Sequence, residues 1–268
     1  MNKKIILIIL LMSLLFTACT NKGEKKSTKV ENKDKAPKDL ISILDELDKI
    51  LVLVDEIEEI SKLTDLEYES LNEKDKKTKE DEEKQKKEEQ KEDEISDRDV
   101  ELLKLWNNLG DKIDKVHNDW NNYEIESRKK SPSDEKSESV KNNLNYITTM
   151  IENRDIMGIL DATSKSLLSL AYFCDLYKDD ISGDLYRIKH YVLQAYLNPD
   201  MGKEILNNTQ DSILTLRQKL EKDKDKLKKV DKLDLSIKDM GNSLNINSPK
   251  LLKNKKEIIF KNIDSLKE

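Results

Sequence analysis

Residues 99–123 read DVELLKLWNNLGDKIDKVHNDWNNY. Within them Leu102, Trp106, Leu109, Ile113, Val116, Trp120 and Tyr123 alternate at intervals of four and three. Side chains three and four apart stand on one face of an α-helix, so the stretch predicts a helix with an apolar seam against partner helices. The two tryptophans of the chain, Trp106 and Trp120, share that register. Their place in it favours core packing over exposed interface anchors.

The same periodicity recurs outward from this stretch. Upstream, Leu40, Ile43, Leu44, Leu47, Ile50, Leu51, Val54 and Ile57 mark segment 39–71 as an amphipathic helix, capped by Asp39 and running to about residue 70. Downstream, Pro132 breaks the pattern, and Val140, Leu144, Ile147 and Ile151 restore it from near Ser137. The phase slips at Asn153–Asp155, where a kink or turn is expected before a run from Ile156 to Ile181 that includes Cys174 and Tyr177. Ser182-Gly183-Asp184 punctuates, and a shorter helix ends at Asn198-Pro199, because a residue before proline avoids the α region. Leu206, Thr209, Ile213, Leu216, Leu220, Leu227 and Val230 then predict one long seam. Asp234–Asn247, which holds Gly241, reads as a loop with at most a short helical turn. Ser248 and Pro249 have the chemistry of a helix cap and first helical residue, opening a closing helix lined by Leu252, Ile259, Ile263 and Leu266.

The expected fold class is therefore all-α, a bundle of about five to six amphipathic helices with its domain at 97–268. Docking of the 39–71 helix on that domain is left open, as is pairing of the closing helix with a second copy in a homodimer. Composition agrees: 39% of residues are charged and 5% aromatic, with 6 Gly and 4 Pro, so long helical faces meet solvent around a modest core. Residues 72–96 are almost all Lys, Glu, Asp and Gln, including (i, i+4) pairs such as Glu80/Lys84. Without an apolar face they read as a charged linker or a solvated helix.

The N-terminus has a different character. Lys3 and Lys4 precede an apolar run from Ile5 to Phe16, too short for a membrane span, and Phe16-Thr17-Ala18-Cys19 follows. Residues 1–18 are read as a signal peptide, and Cys19 as the thiol that receives diacylglycerol, with an N-acyl chain on its amine. Segment 19–38 is Lys-rich, nearly free of large apolar residues, and expected to be a disordered tether. The mature protein would thus be held at a membrane by its lipid anchor.

Little in the rest of the chain points to chemistry. His117 and His190 fall on separate helices and read as helix-flank residues, and Cys174 reads as a small buried hydrophobe in place of a nucleophile. The histidine and cysteine spacings offer no zinc site, and no glycine-rich loop follows a strand. The reading is of a protein that is not an enzyme and has no cofactor apart from its lipid. A net charge of −6, made more negative when Lys3 and Lys4 leave with the signal, disfavours nucleic acid, although Lys222–Lys229 forms a local basic cluster.

Phe16-Thr17-Ala18-Cys19, the Lys/Asn-rich tether and the Lys/Glu/Leu/Ile-rich helical body resemble Borrelia outer-surface lipoproteins, in particular the virulent-strain-associated and complement-regulator-acquiring surface lipoproteins. The resemblance carries over one residue, Cys19, as the acylated position. It implies an all-α surface protein at the outer membrane, dimeric in some members, that acts in virulence as an antigen or by binding a host serum or matrix protein. The alternative is a periplasmic lipoprotein with a structural or envelope-spacer role.

Overall fold

A computed structural model describes residues 35–76, 95–177 and 181–267, the side chains of 72–76 excepted. The signal peptide, Cys19, the tether up to residue 34 and the core of the charged segment, 77–94, lie outside the described residues. The fold is all-α.

Pro37, at φ −60° and ψ 155°, precedes α1 (Lys38–Ser61), and Asp39 sits inside the first turn and does not act as the cap. A carboxylate there still faces the positive end of the helix. The single helix expected to reach residue 70 is two. The Thr64 N–H donates to the Glu67 carboxylate at 2.8 Å, and the Glu67 N–H returns to Thr64 Oγ1 at 3.3 Å. This reciprocal Thr-x-x-Glu cap starts α2 (Asp65–Lys76).

α3 (Asp97–Ser127) carries the stretch from which the fold was read. Leu109, Ile113, Val116, Trp120 and Tyr123 are buried as the seam requires, but Leu102 and Trp106 are half-buried and Leu105 takes the inner position. A strict seven-residue repeat drifts by about 20° per heptad on a straight helix, so the buried stripe moves from Leu102 and Trp106 to Leu105 by the N-terminal turns. A 3₁₀ turn at Arg128–Lys130 leads to α4 (Asp134–Glu152), which starts three residues before Ser137.

At the expected phase slip the chain turns. Arg154 takes φ 54°, the Asp155 N–H donates to the Met150 carbonyl at 2.9 Å, and that of Arg154 to Ile151 at 3.0 Å. These are the paired bonds of a Schellman ending, made with arginine where glycine is usual. The Asp155 carboxylate then caps α5 (Ile156–Cys174) by accepting from the Gly158 N–H at 2.9 Å. A Cβ on Gly158 would come within 2.6 Å of that carboxylate and closer still to Met150 Sδ, so a larger residue there would have to displace the cap and the Met150 side chain.

α6 (Ser182–Leu197) takes in Ser182-Gly183-Asp184 as its first turn, where a break was expected, and ends before Pro199 as read. The long seam after Pro199 is divided into α7 (Gly202–Asn207), α8 (Thr209–Lys219) and α9 (Lys224–Ser243). The Asp234–Asn247 loop is a misreading. Ten of those residues complete α9, with Ile237 and Met240 buried. Gly241 disfavours helix by about 1 kcal/mol, which the burial of two large apolar side chains outweighs. α10 (Pro249–Lys267) opens as expected, the Ser248 hydroxyl accepting from the Leu251 N–H at 3.3 Å.

The described residues from Lys35 onward form one compact unit, and α1 packs on α3 and α5 inside it. Two apolar clusters meet at α6. Tyr186 and Leu193 face the cluster built from α1, α3, α4 and α5, while Leu185, Ile188, Val192 and Ala195 face that of α8, α9 and α10. Trp120, Tyr123 and Phe173 anchor the first with ring centres 5.2–5.8 Å apart and steeply inclined planes. Phe260 of α10 packs against both clusters, which makes the last helix the clasp between them.

Candidate binding groove between the first and last helices

α10 docks against α1 and α6 through lysines as well as leucines. Lys256 is 1% exposed; its Nζ lies 2.7 and 2.8 Å from the two Asp55 carboxylate oxygens and 4.9 Å from the centre of the Tyr196 ring. Lys253 reaches Glu59 at 2.9 Å, and at the other end of the helix Lys267 reaches Asp48 at 2.7 Å. Residue numbers rise on α10 as they fall on α1, so the two helices run antiparallel, joined by a ladder of ion pairs.

Lys189 of α6 completes the ladder from below. It is 2% exposed, donates to Asp48 at 2.6 Å, and its Nζ lies 4.9 Å from the centre of the Phe260 ring and 5.6 Å from that of Tyr186. An ammonium taken out of water needs a carboxylate and ring faces of this kind to offset its desolvation. Burial works to raise the Asp48 carboxyl, but Lys189 and Lys267 outweigh it and hold the group below its ordinary value. Burial pushes Lys189 down, with Asp48 opposing. For Lys267 burial also pulls down, yet Asp48 and Asp264 lift it above its ordinary value.

Above Lys189 the two helices part into a groove of about 460 Å³. Leu51, Val52 and Phe260 supply an apolar floor. Six carboxylates line it, from Asp48, Asp55, Glu56, Glu59, Glu257 and Asp264, against two ammonium groups, Lys189 and Lys261. Asp48, Asp55, Glu59 and Asp264 have lysine partners, whereas Glu56 and Glu257 make no ion pair with any described residue. A second hollow of about 770 Å³ lies at the start of α10, between Met157, Tyr196, Leu252 and the chain at 244–249.

The residues weighed from sequence are placed elsewhere. Cys19 lies outside the described residues. His117 bonds Thr148 Oγ1 at 2.9 Å across α3 and α4, and burial lowers its pKa. His190 is buried, with Nδ1 2.9 Å from the Ser164 hydroxyl, a contact that ties α6 to α5; burial lowers its pKa as well. Neither hollow is lined by either histidine. Cys174 is buried in the first cluster, as read, and so is Trp120, while Trp106 is half-buried under the Arg154 guanidinium at 5.8 Å. Within the basic cluster, Lys226 and Lys229 donate to the Leu266 and Ser265 carbonyls at 3.4 and 2.5 Å, completing the C-terminus of α10.

No protein family, curated protein or solved structure matches the chain. The groove's chemistry therefore has to be argued from its own residues. Sequence reading passed over them, though a signal was present. Lys256 stands four residues after Leu252 and three before Ile259, on the apolar stripe of its helix. A lysine in that register is buried or breaks the stripe, and if buried it requires a carboxylate partner.

Proposed function

We propose that this protein is a lipoprotein whose acylated Cys19 holds an all-α binding scaffold at the bacterial outer surface, where it contacts a host serum or matrix protein. The observation that carries the reading is the order of parts. A charged, then apolar, then small-residue leader ends at Cys19, and the first described residue of the compact unit, Lys35, follows sixteen positions later. Among the described residues no helix is long and apolar enough to cross a membrane. The resemblance to Borrelia outer-surface lipoproteins supports the surface location and the host partner.

Two measurements test this. Cells expressing the chain should incorporate labelled palmitate into it, and Cys19→Ser should abolish both the label and membrane retention. Protease added to intact cells should then remove the protein. Retention of label with full protection from protease would overturn the surface assignment in favour of a periplasmic spacer, and absence of label would overturn the anchor.

A further inference from the structure

We propose that the groove between α1 and α10 is a docking site for a cationic amphipathic helix presented by a protein partner. The proposal deepens the scaffold reading, and it rests on that reading for the setting in which such a partner is met. The groove itself can be assayed in solution, so failure of the anchor and failure of the groove are separate results.

Shape comes first. The two walls are antiparallel helices, and the acidic positions of α1 run from Asp48 to Glu59. Eleven steps at 1.5 Å make that wall about 16 Å long, three turns of a guest helix. The floor is apolar, and Val52, which lines it with Phe260, is 66% exposed. An exposed valine and a half-buried phenylalanine in one lining, between charged rims, give the layout of a helix-in-groove interface, in which apolar anchors go down and charges stay at the edges.

Charge then selects the guest. Lys189 is committed to Asp48 at the bottom of the groove, which leaves Lys261 as the cation of the rim. Glu56 on one wall and Glu257 on the other make no ion pair with any described residue, so each offers a carboxylate to an incoming lysine or arginine. Polyanions, including phosphate backbones and acidic lipid surfaces, meet repulsion from these two unneutralised carboxylates. The carboxylates are strung along three turns and, among the described residues, do not gather into a metal-binding group. A helix with one apolar stripe and lysines on both flanks satisfies floor and rims together.

The test uses the chain from residue 19 onward, kept free of lipid by Cys19→Ser, and a fluorescein-labelled peptide of two LKKLLKL repeats as the probe. Fluorescence anisotropy should show saturable binding that weakens with added salt. A peptide of the same composition scrambled to lose its apolar stripe should bind at least ten-fold more weakly. Glu56→Gln with Glu257→Gln removes the two unpaired rim charges and should weaken the probe by about five-fold. Val52→Asn removes the exposed floor and should do so by a similar factor. All three positions reach solvent, so the variants should melt with the parent, which circular dichroism checks. Equal binding of the scrambled peptide, or unchanged affinity in variants that remain folded, overturns the proposal. So does a parent that dimerises, ignores the probe and becomes monomeric on Val52→Asn, because a second copy then occupies the groove.

Discussion

Replacing Asp48 by leucine isolates the most demanding interaction in the fold. The change leaves the Lys189 ammonium buried, with its remaining carboxylate, Asp264, at 3.9 Å. Removing one partner of a buried pair costs about 3–5 kcal/mol. The Asp48 side chain is 21% exposed and Lys267 can turn to solvent, which favours the lower end, about 3 kcal/mol. A ceiling exists because Lys189 can give up its proton: from an ordinary value near 10.4 to pH 7 that costs about 4.6 kcal/mol.

The same argument fixes a pH signature for Asp48→Leu. With the folded-state pKa of Lys189 driven further down, the unfolded chain binds the extra proton, and stability rises with pH between the folded and unfolded values. The gap between Asp48→Leu and the parent should therefore narrow from about pH 7 to about pH 10. Adding Lys189→Met removes the stranded charge and should recover most of the loss, since apolar replacement of a whole buried pair is often neutral or better. Urea unfolding followed by far-ultraviolet circular dichroism measures all three chains. A single-variant cost below about 1 kcal/mol, or a double variant as unstable as the single, would refute the account of Lys189 as a buried, carboxylate-dependent cation.

Other expectations follow from the core and the acid limb. Trp120→Ala, in the aromatic cluster, should lose about 3–5 kcal/mol by thermal or urea unfolding, whereas half-buried Trp106→Ala should lose roughly 1–2 kcal/mol. Glu46, Asp48, Glu58 and Asp234 are each held below their ordinary values by lysine or arginine neighbours that outweigh burial. Their stabilisation should be complete above about pH 5.5, decline as pH passes the unfolded-state values, and disappear as pH falls through the folded-state values, which a series of melts toward low pH would follow.

Much of the fold was legible because long amphipathic helices write their inner face into residue spacing. Leu109 to Tyr123, Val140 to Ile151 and the Ser248-Pro249 start all lie where spacing and cap chemistry put them. The misreadings have physical causes. Gly241 and a run of polar residues disguised the second half of α9, whose stability comes from tertiary burial of Ile237 and Met240 and not from propensity. Continuous leucine and isoleucine spacing across Ser61–Leu66 hid the Thr64–Glu67 cap that ends one helix and begins another. The groove was less legible still. Asp48, Asp55, Lys189 and Lys256 are common charged residues in a chain full of them, and their pairing joins positions 141 to 201 residues apart. Spacing along one helix carries no record of a partner so distant.

The clasp made by α10 also sets the order of events in the protein's manufacture. Chains are synthesised N-terminus first, so α1 emerges early, yet its ion-pair partners Lys256 and Lys267 arrive 201 and 219 residues later. Until then Asp48 and Asp55 face water, Phe260 is missing from both apolar clusters, and the closing contacts of high sequence separation cannot form. The second cluster, which needs Ile259, Ile263 and Leu266, therefore closes last, after the first has all its buried residues. A chain stopped before residue 249 would lack the clasp, and its second apolar cluster would lose Ile259, Ile263 and Leu266 and stay open to water.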